Sequence, residues 1–365
     1  MTTPTPPQPQ RTPRADLVPL AEKDFREVAA FIAGQSGRTK ESVEAHLQWF
    51  LFENPARQSQ DPIGFGLRNS DQLVGCILFS PQNFCFENQK ILFMGSSSFY
   101  VDESCRGQGG RIFLQYSRLG NQHPLFGTSA NADAAALWKA SGANSIPHSD
   151  GELFGILRWP PVVEEFVHRR YSNRLLDLLA RTPISSFAGR FRPLKIDMDQ
   201  AQSDVLRPLT SAEQVMDLPI HGPSAKLTAL RDLPYIRWRY FSGRDRTVAT
   251  FAVRNHELDQ EVLVTVNQRT RGYRGQINTL NVLDIYPEVA VADSLRVVAA
   301  LTARYRNTVD ALVLRNVSPD RQKILCGRGF QRRIFDAPTG WFLDKKKLLP
   351  PLGWYIVPAD GDGLI

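Results

Sequence analysis

The stretch richest in chemical potential reads Tyr100-Val101-Asp102-Glu103-Ser104-Cys105-Arg106-Gly107-Gln108-Gly109-Gly110-Arg111-Ile112-Phe113-Leu114. A β-patterned run leads into glycines, and an amphipathic helical pattern follows at once. Glycines let backbone N–H groups approach an anion closely, and the positive end of a helix dipole would face the same place. Arg106 and Arg111 stand at the rim, where guanidiniums can add charge-assisted hydrogen bonds. The segment therefore reads as a diphosphate cradle, although a tight strand-to-helix turn without a ligand uses the same residues. No Gly-Lys-Ser/Thr follows, which excludes a Walker-type loop. A dinucleotide fingerprint fits poorly, because the strand comes only after two helical segments and a hairpin.

Acid–base candidates are sparse. The long strand Ile91–Val101 holds no carboxylate, only Ser96, Ser97 and Ser98 at its middle. Asp102 and Glu103 stand at its end, and His148, Asp150 and Glu152 lead into a later strand. His148 has the ordinary pKa best matched to a general base, so Glu103 and His148 are the catalytic candidates. The histidines form no HxxxH or HExxH and the cysteines (Cys76, Cys85, Cys105, Cys326) no CxxC, so no metal site is expected. Reduced thiols suit a cytoplasmic protein.

These residues need elements to hold them. Helical spacing covers Ala21–Ile32 and Glu41–Phe52, with Thr39 placed to cap the second. Ile63–Leu67 and Leu73–Phe79 flank the turn cluster Asn69-Ser70-Asp71 as a hairpin. Then follow the strand Ile91–Val101, the glycine turn, a helix Arg111–Leu119, a strand Leu125–Thr128, a helix Ala132–Ala140 and a closing strand Leu153–Trp159. After Pro160-Pro161 a helical stretch Val162–Ala180 leads into a Pro/Arg-rich connection. Strands Val248–Val253, Val262–Val266 and Gln276–Ile285, a helix Ala292–Arg304, a strand Ala311–Leu314, a helix Pro319–Cys326 and strands from Phe330 complete the pattern.

The second series repeats the first. Leu47-Gln48-Trp49-Phe50 precedes one hairpin and Ile236-Arg237-Trp238-Arg239-Tyr240 the other, and late in each half an Asn (Asn131, Asn316) opens a helix that ends in Gly (Gly142, Gly329). Where the second copy should carry its glycine turn it reads Leu283-Asp284-Ile285-Tyr286-Pro287-Glu288, which lacks glycine and would repel a diphosphate.

This order of elements, with Arg-Gly-x-Gly after the long strand, resembles the GNAT family of acyl-CoA N-acyltransferases over roughly residues 17–159. The family signature is Gln/Arg-x-x-Gly-x-Gly/Ala; Arg106 and Gly109 match its first and fourth positions, while Arg111 stands where Gly or Ala is expected. The resemblance implies an α/β (α+β) fold of two GNAT-like domains, each a mixed, mostly antiparallel sheet flanked by helices. It implies that Arg106, Gly107, Gln108, Gly109, Gly110 and Arg111 hold the pyrophosphate of acetyl-CoA or another acyl-CoA. By the same resemblance Phe99, Tyr100 and Val101 pair with the pantetheine arm and Asn131 contacts it, although Asn131 reads equally as a helix cap. The family often carries a Tyr acid where this chain has Trp138, which packs rather than protonates.

The implied organisation is a disordered tail over 1–16, an acyl-CoA-binding domain over 17–159, a helical linker over 160–204, a degenerate copy over 205–345 and an extension over 346–365. Residues 1–159 carry 14 Lys/Arg against 15 Asp/Glu, and the remainder carries 30 against 22, so the excess positive charge lies in the second half. It suits an anionic small-molecule or peptide acceptor of the acyl group. A Fem-like aminoacyl-tRNA-dependent transferase and a non-catalytic acyl-CoA-binding protein are the alternatives. No apolar run is long enough to span a membrane.

Overall fold

The computed structural model describes residues 14–87, 89–170, 194–195, 206–215, 227–242, 247–255, 260–271, 277–286, 291–347 and 354–357. Its strands are β1 (Asp16–Leu20), β2 (Gly64–Asn69), β3 (Gln72–Phe86), β4 (Gln89–Val101), β5 (Leu125–Gly127), β6 (Asn144–Ser145), β7 (Gly151–Ile156), β8 (Leu206–Leu209), β9 (Leu227–Ala229), β10 (Val248–Asn255), β11 (Gln260–Arg271), β12 (Ile277–Tyr286), β13 (Ala311–Arg315), β14 (Gln331–Ile334), β15 (Trp341–Leu343) and β16 (Trp354–Tyr355). Its helices are α1 (Phe25–Ser36), α2 (Lys40–Leu47), α3 (Gly109–Arg118), α4 (Ala132–Ala140), α5 (Trp159–Arg170), α6 (Leu233–Ile236), α7 (Val291–Tyr305) and α8 (Pro319–Gly327).

Two mixed, mostly antiparallel sheets flanked by helices result. The first runs β1-β2-β3-β4-β5-β15-β6, with β9 and β16 attached through β3; the second runs β8-β10-β11-β12-β13-β7-β14. Position by position the pairings have the same sense, with one parallel step in each main path, β4 to β5 and β12 to β13. The sixth place in each order is filled from the other half of the chain. The expected closing strand of the first half, β7, lies between β13 and β14, and β15 lies between β5 and β6. Side-chain burial fixes that arrangement. Leu153 packs with Val264, Leu312 and Phe330, whereas Trp341 and Leu343 pack with Phe113 and Trp138.

The two halves share local hydrogen-bond patterns. Gly142 N donates to Lys139 O and Ala143 N to Trp138 O, while Gly329 N donates to Cys326 O and Phe330 N to Leu325 O. Gly142 and Gly329 both hold the left-handed φ that favours glycine, +83° and +99°. Asn131 caps α4 as expected, but Asn316 does not cap α8; Ser318 occupies that place, and Asn316 Nδ2 donates to Ile356 O.

The halves meet at a π-helical turn in each, Gln48–Phe52 and Arg237–Phe241. Trp49 Nε1 donates to Trp238 O at 2.9 Å, Trp238 Nε1 donates to Trp49 O at 2.9 Å, and the rings stack with centroids 5.5 Å apart. Each half thus gives the other the same bond through the same residue, and both rings are buried.

The termini differ from expectation. Residues 1–13 lie outside the described residues, but Ala15 is buried and β1 begins at Asp16. In the extension, β16 pairs in parallel with β9, and Ile356 packs with Phe84 and Phe126. Asp360 and Asp362, and the linker residues 171–193 and 196–205, lie outside the described residues.

The tryptophan pair supplies a test. Trp49→Phe keeps most of the packing but strands the buried Trp238 carbonyl, so urea unfolding should show a loss of about 1–3 kcal/mol. Trp49→Ala should cost about 3–5 kcal/mol. A double-mutant cycle with Trp238→Phe should give a coupling above about 0.5 kcal/mol.

Candidate active site

Asp102 caps a 3-10 turn over Glu103–Gln108, its Oδ1 accepting from Ser104 N (3.0 Å) and Ser104 Oγ (2.6 Å). Those Ser104 bonds hold its carboxyl below the usual carboxylate range, so Asp102 acts as a cap and is a poor base. Helix α3 then starts at Gly109 without a side-chain cap from Gln108. Gln108 Oε1 instead accepts from Ala15 N (3.0 Å) and Arg111 Nη1 (2.6 Å), and Arg111 Nη1 also donates to Ala15 O (2.8 Å). Arg111, the departure from the family signature, is therefore turned toward the start of β1.

The glycines of the turn are not equivalent. A Cβ at Gly109 would lie 3.4 Å from Val101 Cγ2 and 3.5 Å from Phe99 Cζ, so that residue faces the packed interior. Gly107 meets nothing within 4 Å and Gly110 meets only Leu137 Cδ2 at 3.9 Å, so these two present bare backbone outward. Arg106 is exposed beside them.

Upstream, β4 pairs with β5 only at Met94↔Leu125 and Gly95↔Phe126, and the two strands then separate. Opposite β3, the register of β4 shifts between Cys76 and Leu78, and Ser98 sits at the irregularity with φ +50°. Phe99 and Val101 pack against the cluster containing Phe113. Asn131 Oδ1 accepts from Ala134 N at 2.9 Å, which is the capping role. Trp138 is buried edge-on against Phe113 and Tyr116.

A cavity of about 460 Å³ opens between the halves. Its first wall is Ser98 and Tyr100 of β4, with Ser36 of α1, Arg38, and His46 of α2. Its second wall is Arg269 and Arg271 of β11, Asn281 of β12 and Arg315 of β13. Beneath it lies Glu152 of β7, whose side chain is only 1% exposed. Arg271 Nη1 donates to both its oxygens at 3.2 Å, Arg315 Nε to Oε2 at 3.0 Å and Arg333 Nη1 to Oε1 at 3.4 Å. Burial pushes this carboxyl upward, yet Arg271 and Arg315 outweigh it and hold the pKa below the usual range. Glu152 stays ionised and anchors arginines.

His46 is the one imidazole in the described lining. It stacks on Phe50 with centroids 5.7 Å apart, and its buried Nε2 has no hydrogen-bond partner. Burial first, then Arg38, Arg239 and Arg269, lower its pKa from 6.5 to about 4. Glu103 is exposed on the 3-10 turn, and His148 stands in the turn before β7 with φ +63°; neither lines the cavity. Asp284, expected to repel phosphate, is buried and bonded by Arg231 Nε (2.8 Å) and Tyr240 OH (2.5 Å). Pro287 and Glu288 lie outside the described residues. Among the described residues no cluster of His, Cys, Asp and Glu could hold a metal ion, and no helix is long and apolar enough to cross a membrane.

Sequence reading missed the second wall. Its signal was faint, since Arg269-Thr270-Arg271 and Arg315 sit at strand ends, where charges are ordinary.

No model of a protein family matches the chain, and no curated protein does. Solved structures do. The chain is similar to Saccharomyces cerevisiae N-myristoyltransferase with bound myristoyl-CoA and inhibitors, at 12% identity and TM-score 0.56 over 99% of this chain and 86% of that one. It is similar to a probable N-acyltransferase from Enterococcus faecalis V583, at 10% identity and TM-score 0.54 over 90% and 73%. A GCN5-related N-acetyltransferase from Anabaena variabilis matches at 10% identity and TM-score 0.52 over 90% and 72%. The fold is that of the GNAT acyltransferases.

The surroundings of His46 predict its titration. Its folded pKa lies below the unfolded value, so stability is lost as pH falls from about 6.5 toward about 4, where only the unfolded chain takes the proton. Imidazole proton shifts of His46 should stay unchanged from pH 8 to about pH 5.5, and His46→Gln should flatten that part of the stability curve.

Proposed function

We propose that the protein binds one acyl-coenzyme A at the glycine turn before α3 and transfers the acyl group to an amine or hydroxyl in the cavity between the two sheets. The observation that carries this reading is the path of β4. It separates from β5 after Gly95, borders the cavity through Ser98 and Tyr100, and runs at Val101 into the Asp102-capped 3-10 turn that leads to Gly109 and α3. A pantetheine arm can take the strand position that β5 vacates, with Phe99–Val101 as its partner. The outward backbone at Gly107 and Gly110 and the positive helix end suit the diphosphate. The GNAT fold of neighbours that include a myristoyl-CoA complex supports an acyl-CoA donor.

Residues 17–159 and 205–345 are, in this reading, two copies of one unit that have exchanged their sixth strands, and only the first retains the donor turn. Neutral His46 accepts a hydrogen bond from the acceptor's nucleophile, a role that suits it better than Glu103 or His148 because it faces the cavity. A non-catalytic acyl-CoA-binding protein is the second reading, favoured by the lack of Asp and Glu among the described lining residues.

Gly110→Val places a side chain where the diphosphate must approach, so calorimetry should show acetyl-CoA binding at least tenfold weaker, about 1.4 kcal/mol. The parent should bind one molecule per chain. Gly109→Val is the poorer probe because its side chain would press on Val101 and Phe99. His46→Gln should lower kcat by about 10²-fold or more while leaving acetyl-CoA affinity intact. Binding without any thiol release across a panel of amines and alcohols would favour the second reading.

A further inference from the structure

The cavity assigned to the acceptor has an unbalanced charge. Arg38, Arg269, Arg271 and Arg315 line it, and no Asp or Glu does among the described residues. Glu152, beneath the floor, is already shared among Arg271, Arg315 and Arg333. One carboxylate therefore faces more guanidinium charge than it can offset, in a partly buried site where repulsion between like charges is weakly screened. Donors are in excess too. A guanidinium has five N–H groups, yet Arg315 bonds Glu152 through Nε, and Arg38 gives one bond, from Nη2 to Ser42 Oγ at 3.2 Å. Arg271 is held in place by Glu152 on one side and by Asn281 Oδ1 at 2.7 Å on the other. Fixed forks of this kind match the oxygens of a carboxylate or phosphate.

We infer that the acceptor is a small anionic molecule whose carboxylate or phosphate is held by Arg269, Arg271 and Arg315, with Arg38 opposite and its nucleophile turned toward Ser98 and His46. The inference rests on the cavity being the acceptor site of the proposed transfer. The volume, about 460 Å³, lies within the range of small-ligand sites and favours a small molecule over a peptide segment. Binding has a consequence for His46. Arg38 and Arg269 are two of the cations that depress it, alongside burial and Arg239, so an anion between them raises its basicity as the acceptor arrives. A correctly charged acceptor thereby prepares the group that takes the hydrogen bond from its own nucleophile.

The test uses the full chain, with inorganic phosphate, succinate and coenzyme A as separate probes at constant ionic strength. The variant is Arg38→Gln/Arg269→Gln, chosen because it keeps Arg271, Arg315 and Arg333, which bond Glu152; Arg38→Gln alone, at an exposed position, serves if the double variant misfolds. Calorimetry should show phosphate or succinate binding the parent, with affinity at least tenfold lower in the double variant and coenzyme A affinity within twofold. Saturating anion should move the His46 titration upward from about 4 in the parent. Preference between phosphate and succinate identifies the anion. If neither anion binds the parent while coenzyme A does, the anionic acceptor is overturned and the donor site stands. If the variant loses coenzyme A in step with the anions, the arginines hold the donor's phosphates, and the inference fails. If an acidic hexapeptide binds the parent more tightly than either small anion, the small-molecule class fails. Failure of the parent to bind coenzyme A at all overturns the donor reading separately.

Discussion

The arrangement depends on a reciprocal constraint: each sheet takes its sixth strand from the other half of the chain. β7 completes the second sheet and β15 the first. An unpaired place inside a sheet would leave buried N–H and C=O groups without partners, a cost that backbone hydrogen bonding does not tolerate. The two halves are therefore not free to rotate as loosely joined domains are. The mutual Trp49 and Trp238 bonds act in the same direction, fixing the π-helical turns against each other at the centre. A cavity whose walls come from both halves can keep a defined geometry only because of these ties.

That rigidity gives the charges their meaning. β7 carries Glu152 from the first half of the sequence under arginines from β11, β13 and β14 of the second. The strand exchange thus delivers the counter-charge that allows several guanidiniums to gather at one wall. Replacing Glu152 by an apolar residue would leave those cations uncompensated in a partly buried site, where an unpaired charge is more costly than the intact pair is favourable. On the opposite wall, burial and the same positive field keep His46 neutral.

Much of the fold was legible in the sequence because its signals are local. Periodicity located α4, β4 and β12 closely, and Thr39 caps α2 through a bond from Ser42 N; Trp49 and Trp238 stood out by their spacing, but their mutual contact is visible only in the fold. The glycine turn was visible, but the inward tilt of Gly109 and the tie from Arg111 to Ala15 were not, since both depend on what packs nearby. The exchange of β7 and β15 left no trace in periodicity, because an apolar strand reads alike in either sheet. The cavity suffered most. Its arginines come from separate strands and meet His46 only in three dimensions, while Glu103 and His148, prominent by residue type, point elsewhere.

The exchange also shapes how the chain can be made. Leu125 pairs with Leu343 and Gly127 with Trp341, contacts separated by more than two hundred residues. While the chain emerges from the ribosome, β5 has no neighbour on that side until nearly all of the described sequence has been synthesised, and β7 waits for β13. Neither half can finish its sheet first, so the usual order of vectorial folding, one domain completed before the next begins, is closed to this protein. Closure of both sheets becomes a late, shared event of high contact order, and until then the nascent first half carries an open β edge at β5.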